Sequence, residues 1–301
     1  MRYYQYESKG KIQVAVEKDP GQLISLTSIE PRIKSTYKLF EVAEIFKTNI
    51  DVVARDILKT GKGCKFPLTA LLNPDRNENR LFRILPPIDA PEVWAFGVTY
   101  MDSMRERQAE SDTPDVYSKI YNAERPEAFF KATGNRSQPP FADVGIRQDS
   151  TWDVPEPELA FVVFGGKIAG FTIGNDMSSR SIEGENPLYL PQAKVYKKSL
   201  SFGPCIATPE MIKEPQNLNI DLEIDRSGVK VFNGQTNTRN MKRDCEYLLD
   251  WLTRHNEVYD GTVVLTGTGT IPPPEFTLKD NDIVRISIEN IGTLVNTVVT
   301  V

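Results

Sequence analysis

The segment from Thr151 to Ile173 constrains this chain most, because two runs of β-forming residues flank Gly165-Gly-Lys167. Apolar, β-branched and aromatic residues around a glycine pair favour an antiparallel hairpin. Glu156 and Glu158 stand two apart at the head of the first run, so in an extended strand both carboxylates leave the same face. A three-residue loop pairing Phe164 with Ile168 sets Ala160 against Thr172, Glu158 against Gly174 and Glu156 against Asp176. A two-residue loop puts Asp176 on the opposite face, unless a bulge restores the register. Glu156, Glu158 and Asp176 gathered at one point repel each other, and only a cation or shared protons make the arrangement stable. Oxygen donors alone select magnesium, with manganese and calcium as alternatives, over zinc or copper. An arbitrary Glu-x-Glu pair more often solvates the start of an edge strand. The prolines framing this pair and the returning Asp176 argue against that reading here.

Composition removes other ways of organising a site. The chain has 301 residues, with 36 basic against 41 acidic and a net charge of -5. No basic run or aromatic-interleaved patch points to nucleic acid or to a membrane surface. The amino-terminal residues Met1 to Ser8 lack the apolar core of a signal peptide, and no stretch has the length to span a bilayer. A cytoplasmic, soluble protein is expected. Cys64, Cys205 and Cys245 are scattered without metal-ligand spacing and read as reduced. The single histidine, His255, follows an amphipathic stretch ending at Leu252, where imidazole commonly caps a helix. Proton transfer then falls to Lys, Glu, Asp, Tyr or metal-bound water.

Residues 1–88 read as a small α/β domain. Tyr3 to Val16 alternates about a turn at Ser8 to Lys11, and Thr36 to Thr60 carries helical spacing. Pro86, Pro87 and Pro91 mark a boundary, and residues 89–301 are mostly short strands after a polar, partly helical segment from Asp102 to Asn122. Hairpins are expected around Arg226 to Gly228 and between Asp282 and Val299. The expected class is α+β, a β-rich mixed-sheet catalytic domain with the small α/β domain before it. Gly267-Thr-Gly269 precedes Pro272 to Pro274, which rules out the helix that a phosphate-binding glycine turn needs. It reads either as a tight turn or as a loop approaching a ligand carboxylate.

These residues resemble the fumarylacetoacetate hydrolase superfamily over roughly residues 91–301. The resemblance is carried by Glu156-Pro-Glu-Leu-Ala160, Gly170 to Arg180, Lys194, Phe202-Gly-Pro204, Thr266 to Gly269 and Gly292 to Asn296. It implies a fumarylacetoacetase-type fold, and a divalent cation on Glu156, Glu158 and Asp176 that chelates a 2-oxo acid. Hydrolases of the superfamily carry a histidine where this chain has Ser103, in Gly97-Val-Thr-Tyr-Met-Asp-Ser103. A serine without help is no base near neutral pH, so hydrolytic carbon–carbon cleavage is disfavoured.

A narrower similarity, in Asn175 to Lys194 and Glu124 to Ala132, is to the 2-keto-3-deoxypentonate dehydratases of the superfamily. It implies magnesium-dependent dehydration of 2-keto-3-deoxy-D-arabinonate to 2,5-dioxopentanoate in oxidative pentose degradation. Lys194 is then the candidate base at carbon 3 and Glu127 the acid that helps the carbon 4 hydroxyl leave, or the reverse. Taken alone, each reads as surface solvation or a loop ion pair. Thr268 is expected at the substrate carboxylate, Ser178, Ser179 and Arg180 along the pocket, and Phe96 and Gly97 at its rim. Lys131 matches a position near the site, with its role open. Superfamily habit implies a homodimer or homotetramer. Two readings stand against the dehydratase: a C–C hydrolase or decarboxylase of a 2-oxo acid such as an acylpyruvate, and a calcium-stabilised module without activity. The second does not need Lys194 and Glu127 to face the acidic cluster.

Overall fold

In a computed structural model, residues 1–74, 81–110 and 114–301 are described. In chain order the first strands are β1 (Arg2–Ser8), β2 (Lys11–Asp19), β3 (Gln22–Ser25), β4 (Lys65–Pro67) and β5 (Arg83–Ile84). The next are β6 (Glu92–Gly97), β7 (Glu127–Thr133), β8 (Asp143–Ile146), β9 (Asp153–Phe164), β10 (Lys167–Ser179) and β11 (Leu200–Ala207). The last are β12 (Asn219–Arg226), β13 (Val229–Asn237), β14 (Val263–Thr268), β15 (Ile283–Ile288) and β16 (Gly292–Thr300). The helices are α1 (Thr36–Ile45), α2 (Ile50–Thr60), α3 (Leu68–Leu71), α4 (Met101–Glu110), α5 (Pro114–Asn122), α6 (Arg180–Glu185), α7 (Leu190–Lys194) and α8 (Cys245–Thr253). Of the polar segment expected to be partly helical, residues 111–113 lie outside the described residues.

One large sheet runs in the order β4-β3-β2-β1-β11-β10-β9-β14-β6-β7, with β5 against β1, and a second runs β13-β12-β15-β16-β8. The pairings are antiparallel except β14 with β6 and β16 with β8, so the sheets are mixed and the α+β expectation holds. The first five strands extend the large sheet, because β1 pairs with β11 through Arg2↔Ala207 and Tyr3↔Ile206. Apolar side chains between the sheets, including Phe161, Ile173, Leu222 and Ile286, form the central core. The helical stretch over Thr36 to Thr60 is two helices. Lys47 takes a left-handed φ of 51°, and the Asn49 side chain accepts the Val52 N–H to start the second helix.

The hairpin that opened the sequence argument forms with a different loop. Gly165 and Gly166, at φ of 60° and 71°, make a two-residue turn in which Phe164 pairs with Lys167 rather than with Ile168. Both glycines sit where L side chains are strained, which suits the twist of a tight hairpin. Continued without a break, that pairing places Asn175 opposite Glu156. The register instead shifts between Ile168 and Gly170, leaving Ala169 as the extra residue, and from there Thr172 faces Ala160, Gly174 faces Glu158 and Asp176 faces Glu156. The bulge restores the expected register. Pro155 and Pro157 are tolerated within β9 because β14 last pairs at Thr268↔Glu158, so both lie past the end of that neighbour.

β9 is buried over its whole length, and its first residue carries a stability cost. Asp153 is 3% exposed, and its Oδ1 has no hydrogen-bond partner. Burial raises its carboxyl to about 6, against the smaller opposing pull of Ser150 and Arg147. A carboxyl whose pKa is raised on folding contributes its stability fully below the unfolded value and loses it as pH rises through the folded one. Stability is therefore expected to fall between about pH 4 and pH 6 from this group. Asp153→Asn is expected to raise the melting temperature above pH 6 by roughly 2–4 °C and to change little near pH 4, as read by thermal melts at both pH values.

Candidate active site

The neighbouring strands of the large sheet deliver the acidic cluster. Glu156 and Glu158 leave β9 on one face, and Asp176 meets them from β10; ligand oxygens of the three lie within 4.8 Å of one another. All three are buried, at 3%, 1% and 1% exposure. Gly174 opposite Glu158 is required by packing, since a Cβ there lies 2.2 Å from Leu265 Cδ2.

Cationic side chains surround the cluster. Lys194, the last residue of α7, places Nζ 2.6 Å from Glu156 Oε2, 3.3 Å from Asp176 Oδ2 and 2.6 Å from Ser178 Oγ. Arg180 Nη2 lies 3.0 Å and Arg107 Nη2 3.3 Å from Glu156 Oε1. Lys131, with no exposed surface, lies 2.5 Å from Asp176 Oδ1. The electrostatic outcome differs sharply along β9. Burial works against ionisation of Glu156, but Lys194, Arg180 and Arg107 outweigh it and hold the carboxyl well below the usual range. Glu158 is pushed well above that range, by burial first and then by the charges of Asp176 and Glu156, with the Gly267 N–H opposing weakly. Three oxygen donors converging at one buried point, one of them pushed upward by burial and by its neighbours, fit a hard divalent cation whose charge relieves that repulsion.

Glu127, Phe96, Gly97, Ser103 and Thr268 line the same cavity as the cluster, Lys194 and Arg107. Glu127 opens β7 opposite Gly97 of β6, and its carboxyl lies over that residue: a Cβ on Gly97 stands 2.0 Å from Glu127 Oε2. Burial raises the Glu127 carboxyl, against Arg107 and Lys194, which lower it. Gly97→Ala is accordingly expected to displace the Glu127 carboxyl while sparing the fold. Turnover should fall by about 10- to 100-fold with the melting temperature nearly unchanged, as measured by steady-state kinetics beside a thermal melt.

The remaining expected residues are placed less uniformly. Ser178 Oγ accepts from Lys194 and donates to the Asp176 carbonyl at 3.2 Å. Ser179 faces elsewhere: its hydroxyl caps α6 at the Ile182 N–H and lies 2.8 Å from Ser150 Oγ. The Thr268 hydroxyl donates to the Thr270 carbonyl at 3.0 Å. Gly267, at φ 91°, turns its N–H to Glu158 Oε2 at 2.6 Å, so the glycine-rich turn serves the cluster through its backbone. His255 is exposed beyond α8, as its sequence position suggests.

Arg107 and Glu183 were not anticipated, and they form an ion pair beside Glu156. The signal was present for both. Arg107 follows Ser103 by four positions on a helix and Glu183 follows Arg180 by three, spacings that share a helical face.

The fumarylacetoacetate (FAA) hydrolase C-terminal family model matches residues 92–299. The chain belongs to the fumarylacetoacetate hydrolase family. Within it, the chain is 44% identical over 301 residues, covering 100% of both chains, to a probable 2-keto-3-deoxyxylonate dehydratase of Haloferax volcanii. It is 47% identical over 222 residues, 72% of this chain and 74% of the relative, to a 2-dehydro-3-deoxy-D-arabinonate dehydratase of Saccharolobus solfataricus. Among solved family structures, a 2-keto-3-deoxy-D-arabinonate dehydratase complexed with magnesium and 2,5-dioxopentanoate superposes with a TM-score of 0.83 at 37% identity, covering 100% of this chain and 99% of that one. The fumarylacetoacetase-type fold expected from the motifs is the fold of this family member.

Proposed function

We propose that this protein is a hydro-lyase that dehydrates 2-keto-3-deoxy-D-arabinonate to 2,5-dioxopentanoate and water with magnesium as cofactor. The observation that carries the reading is the placement of Lys194 and Glu127 around the buried Glu156, Glu158 and Asp176 cluster. A module without activity has no use for a lysine and a neutral-leaning carboxyl on a carboxylate cage. The relatives, named as dehydratases of the same sugar acid, support the same reaction.

Glu156, Glu158 and Asp176 would hold the divalent cation, which supplies Lewis acidity to the 2-oxo group of a bound sugar acid. Lys194 Nζ, in its amine form, takes the proton from carbon 3. Glu127, whose carboxyl burial pushes toward the protonated form, gives a proton to the carbon 4 hydroxyl as it leaves as water. The same pair then moves a proton from carbon 5 to carbon 3, giving the enol across carbons 4 and 5, and a proton passing from its hydroxyl to carbon 4 gives the aldehyde; exchanging the two residues leaves the proton balance unchanged. Ser103 lines the cavity from α4, and with His255 exposed beyond α8 no imidazole reaches it to activate water, which argues against the acylpyruvate hydrolase. Phe96 and Gly97 form the rim. Ser178 and Arg180 brace Lys194 and Glu156, Ser179 caps α6 away from the cavity, and Thr268 remains the assigned contact at the substrate carboxylate.

Residues 1–88 and 89–301 are proposed as two domains sharing one continuous sheet, in a cytoplasmic homodimer or homotetramer. No helix among the described residues is long and apolar enough to cross a membrane. Incubation of the purified protein with magnesium and 2-keto-3-deoxy-D-arabinonate should form the semialdehyde, detected by aldehyde-specific derivatisation. Cleavage of an acylpyruvate with no semialdehyde formed overturns the reading.

A further inference from the structure

Lys131 is a lysine without any exposed surface, and its ammonium has two carbonyl acceptors and one ion-pair partner. Nζ lies 2.5 Å from Asp176 Oδ1 and donates to the Met177 carbonyl at 3.0 Å and the Lys194 carbonyl at 2.5 Å. Each acceptor has a reason to need it. β11 begins at Leu200, opposite Asp176; one residue further along β10, the Met177 N–H reaches the Ser199 carbonyl, while the Ser199 N–H is spent on Tyr196. The Met177 carbonyl, on the same side of the strand, therefore lies beyond the partner ladder and takes its donor from Lys131. The Lys194 carbonyl ends α7, where helix carbonyls have no partner within the helix. The Asp176 carboxylate is shared between two lysines, Lys131 on Oδ1 and Lys194 on Oδ2.

We infer that Lys131 is a positioning residue: through Asp176 and the Lys194 carbonyl it fixes a cation-binding carboxylate and the proton-transferring lysine in one geometry. The inference rests on the proposed function for the role of Lys194 and on contacts alone for the role of Asp176. An ammonium has three donors and no acceptor. It bonds two carbonyls and pairs in charge with Asp176, so Lys131 joins β7, β10 and α7 at a single atom. Removing it leaves the Asp176 carboxylate free to rotate and releases the end of α7 that carries Lys194. A role as mere counter-charge predicts the opposite effect on cation binding. Loss of a positive charge beside Asp176 would then tighten a dication, whereas loss of a positioning bond weakens it.

The test uses manganese as the probe, titrated by electron paramagnetic resonance into the full-length wild type and Lys131→Ala, beside turnover of the sugar acid and a thermal melt. Manganese affinity should fall by about 10- to 100-fold and kcat by a similar or larger factor, with KM changed little. Methylammonium, a small ammonium that fits the vacated space, should restore a substantial part of both in Lys131→Ala. Tighter manganese binding, unchanged kcat, or a folded variant that no amine restores overturns the proposal. If Lys131→Ala does not fold, Lys131→Gln, which keeps amide donors, takes its place; failure of both to fold makes Lys131 a folding residue and likewise overturns it. If the wild type turns over no sugar acid, the proposed reaction fails while the manganese arm still decides the role of Lys131.

Discussion

Glu127→Gln is expected to lower kcat by roughly 10²- to 10⁴-fold, the contribution typical of a positioned general acid. It should bind divalent cations as the wild type does. The amide keeps the size of the carboxyl above Gly97, so packing between β6 and β7 has no reason to change. What is lost is the carboxyl's acidic proton, which burial favours on the wild-type group. Glu127 lines the cavity without belonging to the carboxylate cage, so the expected signature is a kcat effect at constant cation affinity. Steady-state kinetics with a manganese titration measures both. Unchanged turnover removes Glu127 from the mechanism.

Stripping divalent cations with a chelator is expected to abolish turnover, and adding magnesium or manganese to restore it. Folding should respond too. Glu156, Glu158 and Asp176 are confined within 4.8 Å, and Glu158 is driven toward its neutral form by burial and by its two neighbours. A cation bound to the native state alone stabilises it by about 2.7 kcal/mol at a concentration one hundred times the dissociation constant. The melting temperature should therefore rise with magnesium in the wild type. In Asp176→Asn, which withdraws one charge from the cage, that rise should vanish and turnover should fall below detection. A magnesium-independent melt and full activity after chelation would remove the cation from the reading.

What the sequence revealed, and what it hid, follows from the range of the forces involved. The alternation of Glu156 and Glu158 and the β-formers on either side of Gly165 are local, and local pattern was enough for the hairpin, its partners and the acidic cage. The loop length stayed open, because nothing in Gly165-Gly-Lys167 distinguishes a three-residue loop from a two-residue turn followed by a bulge, and the structure takes the second. Thr36 to Thr60 gave helical spacing but hid the break at Lys47, which one residue in the left-handed region and the Asn49 cap create. The three contacts of Lys131 were illegible for another reason. They depend on where β11 starts relative to β10 and on where α7 ends, and these are properties of tertiary placement. Arg107 and Glu183 lay between these cases, visible in helical spacing once Ser103 and Arg180 are taken to face the site.

The extra residue at Ala169 has a consequence for how this hairpin can change length. Which face Asp176 occupies depends on whether the count of residues from the turn is odd or even, so the span between Gly166 and Asp176 carries a parity. Deleting or inserting one residue there sends Asp176 to the far face and leaves Asn175 or Met177 beside Glu156, whereas a two-residue change preserves the face. Length variation in this segment should therefore come in even steps, and a natural chain with an odd step should have lost its cation.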